Sequence, residues 1–273
     1  MSRLPIALLI AVAACAEERP PHPWLDAERP ADALERRIAP PDGFTRPPAE
    51  EGSFAAWLRT LPLKPGNPPV LLFNGAEVAN QQAHAAVLDI DTGPRDLQQC
   101  ADSVIRLRAE YLYSRAEPIA FHFTSGDEAS FARWSDGFRP KVTGNDVEWT
   151  KSAKKDDSYR ALRAYLDIVF TYAGTRSLAK ELHAVPDVHD LQAGDVFVQG
   201  GSPGHAILVA DVAMQKETGR RVFLLVQGYM PAQEIHLLKN PSDASLSPWY
   251  GVDFGEVLST PQWTFHATDL KRF

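Results

Sequence analysis

The order of patterns along the chain predicts an α+β fold. Amphipathic helical periodicity, broken by short strands, occupies most of the chain up to Pro186; after it come "DVFVQGG", "HAILVADVA", "RVFLLVQGYM" and "QWTFH", rich in β-branched and aromatic residues. Helices and strands segregated in this way form a helical layer on an antiparallel sheet rather than a doubly wound parallel one. The 273 residues carry a formal net charge of −7, and no cluster of Lys and Arg is interleaved with aromatics, which argues against a nucleic-acid partner.

The chain opens "MSRLPIALLIAVAACAEERPPHP". Arg3 followed by an apolar run from Leu4 to Ala14 has the n-region and h-region of a signal peptide, residues 1–14. The run is too short to span a bilayer, which takes ~20 apolar residues. Its end, Val12-Ala13-Ala14-Cys15, resembles a bacterial lipobox, which implies that Cys15 carries lipid and anchors an exported protein to a membrane. With Ala16 following, the expected place is the periplasmic face of the outer membrane if the cell is Gram-negative. Residues 15–50 hold Pro20, Pro21, Pro23, Pro30, Pro40, Pro41, Pro47 and Pro48 among charged residues, a composition that predicts an extended, solvated tether. One folded domain is expected over 51–273.

Within that domain Ser53 is placed to cap a short helix, "FAAWLRTL", with Phe54, Trp57, Leu58 and Leu61 on one face. "PPVLLFNGAEVAN" reads as a hairpin around a type I′ turn at Asn74-Gly75. "HAAVLDID" is a strand, "IAFHF" another, and "DEASFARWSDGF" a helix ending near Gly137. "YRALRAYLDIVFTYAG" is a long amphipathic helix burying Leu162, Tyr165, Leu166, Val169, Phe170 and Ala173, stopped by Gly174, and Thr175 is placed to cap the next helix, "RSLAKEL".

Between these elements lies "DLQQCADSVIRLRAEYLYS". Asp96 with Gln99 three residues on has the form of a capping box, which makes Cys100 the fourth helical residue. The chain has two cysteines, so lipidation of Cys15 leaves Cys100 unpaired. A thiol at a helix start sits at the positive end of the dipole, where a thiolate nucleophile is favoured. The same periodicity equally allows Cys100 to be the first buried residue of the helix. Both readings stand at this point.

A nucleophile needs a base. His22 falls in the tether; His183 and His189, beside Asp187 and Asp190, lack metal-ligand spacing, and no metal or cofactor is expected. His84, His122, His236 and His266 lie in or beside strands, with His84 the reserve choice. His205 stands apart, opening a strand after "GDVFVQGGSPG", where glycines allow close approach of another backbone or a substrate. If "HAILVADVA" and "RVFLLVQGYM" pair as a hairpin, facing residue numbers sum to about 433–435, and His205 faces Gln227 to Met230. Gln227, a polar end to an apolar run, is then the residue to orient the imidazole, with Tyr229 the runner-up. The resulting expectation is a Cys100-His205-Gln227 triad with Cys100 sulfur within hydrogen-bond reach of the His205 ring. Gln98 or Gln99 is the guess for an oxyanion donor beside the Cys100 N–H.

That chain order resembles the papain-like fold, in particular the NlpC-type cell-wall cysteine peptidases, which implies N-terminal helices with a nucleophilic cysteine packed on an antiparallel sheet, no cofactor, and amide substrates in peptidoglycan stem peptides. NlpC-type enzymes usually have a signature such as Asp-Cys-Ser at the nucleophile, whereas this chain has "QQCAD". At closer range "SFAAWLRTLPLKP", "DLQQCADSVIRLRAEYLY", "YAGTRSLAKEL", "GDVFVQGGSPGHAILVADVA", "GYMPAQEIHLLKNP", "SPWYG" and the terminal "LKRF" resemble an uncharacterised bacterial family, domain of unknown function 4846, which implies no activity. Two functions are therefore expected as alternatives: an envelope-anchored cysteine hydrolase or acyltransferase, or a non-catalytic lipoprotein using the fold as a binding module.

Overall fold

A computed structural model describes residues 19–273; the expected signal peptide and Cys15 lie outside the described residues. The architecture is α+β, built on an eight-stranded antiparallel sheet. In chain order its strands are β1 (His84–Val87), β2 (His183–Ala184), β3 (Val196–Gln199), β4 (His205–Met214), β5 (Arg221–Gln227), β6 (His236–Leu238), β7 (Tyr250–Gly251) and β8 (Leu270–Arg272). Across the sheet they run β1-β6-β5-β4-β3-β8-β2, and β7 pairs with β5. The main helices are α1 (Phe54–Thr60), α2 (Cys100–Ser114), α3 (Tyr159–Tyr172) and α4 (Thr175–Glu181). No described helix is long and apolar enough to cross a membrane.

β4 and β5 are apolar on both faces because both faces are covered. In β5, Val222, Leu224 and Val226 join the larger core beneath the helices, while Phe223 and Leu225 point into a second cluster with Phe197, Tyr250 and Phe265. β4 alternates likewise until the register slips between Val209 and Asp211. Ala206, Leu208 and Ala210 face the helices before the slip; Ala213 does so after it, with Val212 opposite. A bulge exchanges the faces, since the side-chain period in a strand is two. The pairing follows the expected register, Val209 opposite Leu225 and Met214 opposite Arg221.

Several local readings need correction. The segment 19–50 is not a solvated tether. Leu34 is fully buried, Thr45 bridges to Met214, and the Trp57 indole N–H donates to the Pro21 carbonyl at 2.8 Å. His22, set aside above, is 2 % exposed and bonded to Glu28 and Thr60. Arg46 and Arg59 both reach the fully buried Asp211, at 2.5 and 2.8 Å, clamping this segment and α1 onto the bulge of β4. Proline and charge make the stretch look solvated, yet a few large side chains and the ion pairs Arg29–Asp89 and Arg46–Asp211 dock it.

At Asn74-Gly75 only Gly75 has a positive φ, +84°. The Leu72 carbonyl accepts from Gly75 N–H and the Ala76 carbonyl from Leu72 N–H, a three-residue loop in place of a type I′ turn. Glu128–Ser130 is a strand paired with Ala120–His122, so the following helix is only Phe131–Ser135. The segment 138–151, assigned no element above, is a hairpin, Phe138–Thr143 with Asp146–Lys151.

Candidate active site

α2 begins three residues later than its sequence suggests. The Asp96 carboxylate accepts from the distant Ala232 N–H at 2.7 Å and from the Gln99 amide at 3.1 Å, so it serves the loop before β6 instead of the helix. Gln99 becomes the N-cap residue; its own N–H donates to Asp102 Oδ2 at 3.1 Å. Cys100 is thereby the first helical residue. The backbone N–H groups of Ala206, the residue after His205, of Ala101 and of Cys100 itself favour its thiolate form electrostatically.

Two glycines permit this approach of helix and strand. A Cβ on Gly228, just past β5, would lie 2.1 Å from Ser103 Oγ and 3.1 Å from the Gln99 carbonyl. One on Gly204 would lie 2.4 Å from Thr175 Oγ1 and 2.7 Å from the Gln199 carbonyl. Any larger residue pushes the end of β5 off α2, or the loop before His205 off α4.

His205 is fully buried. Its Nε2 lies 2.9 Å from Gln227 Oε1, and its Nδ1 has no hydrogen-bond partner. The hydrogens along this side of the ring follow from the far end. His236 Nδ1 lies 2.9 Å from the Glu234 carbonyl, which can only accept, so that nitrogen carries the hydrogen. His236 Nε2 is then an acceptor, and the Gln227 amide nitrogen donates to it at 3.3 Å and to Gln262 Oε1 at 2.7 Å. With its NH₂ so placed, Gln227 turns its oxygen to His205, whose Nε2 must donate. Nδ1 is left with the free lone pair of a base. Tyr229, Trp263 and Phe265 enclose the ring, at centroid distances of 5.0, 5.3 and 5.8 Å.

The electrostatics differ from the helix-dipole expectation. Burial pushes the Cys100 thiol up to about 11, with Asp102 adding to the rise, against the lowering effect of the N–H groups of Ala206, Ala101 and Cys100. Burial likewise lowers His205 to about 4, opposed by the Gln227 hydrogen bond, and His236 to about 4. Resting thiol and imidazole are therefore both neutral at pH 7. A first-turn position favours a thiolate by at most ~2 kcal/mol, less than desolvation of a nearly sealed sulfur costs here.

The structure joins His205 to Gln227 and sets Cys100 at the start of α2, which packs on β4, but the expected hydrogen bond between the sulfur and the His205 ring is not formed. It does not bring Gln98 or Gln99 to the sulfur as donors. Gln98 Oε1 accepts at 2.9 Å from the buried Arg106, whose guanidinium also bonds the buried Glu110, Tyr159 and the exposed Asp91, and the Gln99 amide is held by Asp96. His84, the reserve base, is bonded to the Pro68 carbonyl at 3.1 Å. His236 and Gln262 escaped the sequence reading. Pairing "EIHLL" with "FLLVQ" would have placed His236 opposite Gln227, the register observed, whereas Gln262 comes from a separate hairpin and has no local signal. Among the described residues no group of three or more His, Cys, Asp or Glu could hold a metal.

Beside Cys100 opens a cleft of about 380 Å³. The α2 start forms one wall, the end of α3 and the start of α4 another, and the loop Gly201–Gly204 with Met230 a third.

A family model described as domain of unknown function (4846) matches residues 34–272. No curated protein and no solved structure matches the chain, so these comparisons lend the papain-like resemblance no support.

Proposed function

From the premise that this chain belongs to the domain of unknown function 4846 family, which carries no assigned chemistry, we propose that it is a cysteine acyl-transfer enzyme, a hydrolase or acyltransferase acting on an amide. The single observation that carries the reading is the unpartnered Nδ1 of His205, a free base one residue before Ala206, whose N–H acts on the helix-start Cys100 at the border of a cleft. Cys100 attacks the acyl carbon while its S–H proton passes to His205 Nδ1. The tetrahedral intermediate collapses as the imidazolium returns that proton to the leaving amine, which departs and leaves a thioester on Cys100. Water or a second amine then attacks the thioester, His205 again takes and returns a proton, and the thiol is restored. The N–H groups at the start of α2 are the donors nearest the developing oxyanion. Because thiol and imidazole are both neutral at rest, proton transfer accompanies attack instead of preceding it.

The same reading places the protein in the cell envelope, anchored through Cys15 after loss of residues 1–14, with peptidoglycan stem peptides as the amide source. It rests on the sequence of the first fifteen residues and the resemblance described above. Cys15→Ser should shift the protein from the membrane fraction to a soluble or unprocessed pool; unchanged membrane association with normal processing would refute the anchor.

Burial of Cys100 at 4 % exposure favours the other reading, a binding module whose thiol is merely packed. p-Nitrophenyl acetate separates the two. An enzyme releases one equivalent of p-nitrophenolate in a burst and carries an acetyl group on Cys100, and Cys100→Ala does neither. A folded parent whose Cys100 stays unacetylated, or a Cys100→Ala chain with the same burst, would end the enzyme proposal.

A further inference from the structure

The cleft beside Cys100 continues past the start of α4. A second cavity of about 690 Å³ adjoins it, and Thr124 and Arg176 line both. At the seam Gly201 belongs to the cleft and Gly200 to the second cavity, so neither residue has a side chain to stand between them. The Gly201 N–H donates to Thr175 Oγ1 at 3.3 Å and the Thr175 hydroxyl donates to the Gly201 carbonyl at 3.3 Å, which ties this turn of chain to α4. A Cβ on Gly200 would lie 3.0 Å from Ala179 Cβ and 3.2 Å from the Thr175 carbonyl oxygen, contacts that would force the end of β3 away from the helix. α4 is thus the common wall: Thr175 and Arg176 line the cleft, and Arg176, Ala179 and Lys180 line the second cavity. From Thr175 to Lys180 the helix axis advances about 7.5 Å, the length of about two extended residues.

The lining is polar throughout, and charges of both signs line each cavity. In the cleft the exposed Asp96 stands with Arg176. In the second cavity Asp269, which accepts from the Gln199 amide at 2.7 Å and from the His266 N–H at 2.7 Å, stands with Arg176, Lys180 and Lys271. Walls of this kind would leave a hydrocarbon chain facing unpaired polar groups, whereas every peptide unit brings one donor and one acceptor to meet them. We propose that the two cavities form one groove for an extended peptide chain, the reacting residue seated in the cleft beside Cys100 and about two further residues lying along α4 in the second cavity. The proposal rests on Cys100 being the nucleophile. It makes the substrate a peptide of several residues, free or attached to a polymer, rather than the amide of a single amino acid, because contacts made by the remote residues supply binding energy that can be used at the reacting carbon.

Alkylating peptides of two lengths test the groove without knowledge of the natural substrate. Chloroacetyl-alanine amides of one and four residues extend from the sulfur towards their C-terminus, and acetyl-alanine chloromethyl ketones of the same lengths extend towards their N-terminus. Each forms a bond from Cys100 sulfur to its CH₂ group, expels chloride and releases the thiol proton to His205 or buffer. The full chain with Cys15→Ser has Cys100 as its only thiol. In one of the two series the long-to-short rate ratio should exceed that of N-acetylcysteine by about tenfold, the gain from a few added hydrogen bonds. N-hexyl chloroacetamide, an apolar chain, should show no such gain over chloroacetamide. Thr124→Trp, at an exposed position of the seam, should return the peptide ratio to that of N-acetylcysteine. A ratio equal to that of N-acetylcysteine in both series overturns the groove, as does a gain unmoved by Thr124→Trp. A hexyl gain equal to the peptide gain overturns the peptide as occupant. In all three cases labelling by the short reagents leaves Cys100 standing as nucleophile. If no reagent labels the folded chain although all label it in denaturant, the nucleophile reading falls and this inference with it.

Discussion

Gln227→Ala is expected to lower the rate of Cys100 acetylation by p-nitrophenyl acetate by a factor of roughly 10 to 10³ while the thiol stays intact and titratable in denaturant. The substitution removes the oxygen that accepts from His205 Nε2 and the amide hydrogens that bond His236 and Gln262. The imidazole is then free to adopt the other tautomer, with its hydrogen on Nδ1 where the base should be. The ¹⁵N shifts of His205 report this independently of activity, the protonated nitrogen moving from Nε2 to Nδ1. Gln227→Glu should rescue only in part. Its carboxylate still accepts from His205, but it meets the lone pair of His236 Nε2, so His236 must take up a second proton that its burial opposes. A well-folded Gln227→Ala chain with full activity would exclude Gln227 from the site and turn attention to Tyr229.

Asp211→Ala should destabilise the fold by about 3–5 kcal/mol, the range for removing one partner from a buried ion pair. Arg46 and Arg59, only 16 % and 11 % exposed, would be left facing each other without a counter-charge. The bulge would also lose the carboxylate that accepts from the Val212 N–H at 2.9 Å. The denaturant midpoint measures the effect, provided the slope is unchanged. A loss under about 1 kcal/mol would show that residues 19–50 dock without this pair.

What could be read from the residues was what depends on local period and near-neighbour pairing. The β4–β5 register followed from the apolar runs and one turn, which placed Gln227 beside His205. The placement of Cys100 at a helix start survived even though Asp96 was assigned the wrong partner, because the shift of three residues moved the cysteine closer to the helix end. What could not be read depends on contacts remote in sequence. Asp96 bonds a backbone group 136 residues away and Arg46 a carboxylate 165 residues away. No window of composition reports such pairs. The charge state of the thiol was missed for a related reason: the helix end is visible in sequence, but the desolvation that outweighs it comes from β4, which packs against α2.

The relay behind His205 runs through the Gln227 amide and a second imidazole to a peptide carbonyl, with the Gln262 amide as a side branch, and no formal charge stands along it. A carboxylate in that position would pair with the imidazolium and hold its proton back. Here the ion, once formed, has no counter-charge and is a strong acid, matching the low affinity of His205 for protons. In the proposed cycle, generating it is the uphill part and handing its proton to a reluctant leaving group is the downhill part. A base of this kind would suit the proposed amide substrates, whose amines leave only when protonated. Added salt, which screens exposed charges but has none to screen along this chain of dipoles, should leave the orientation of the ring untouched.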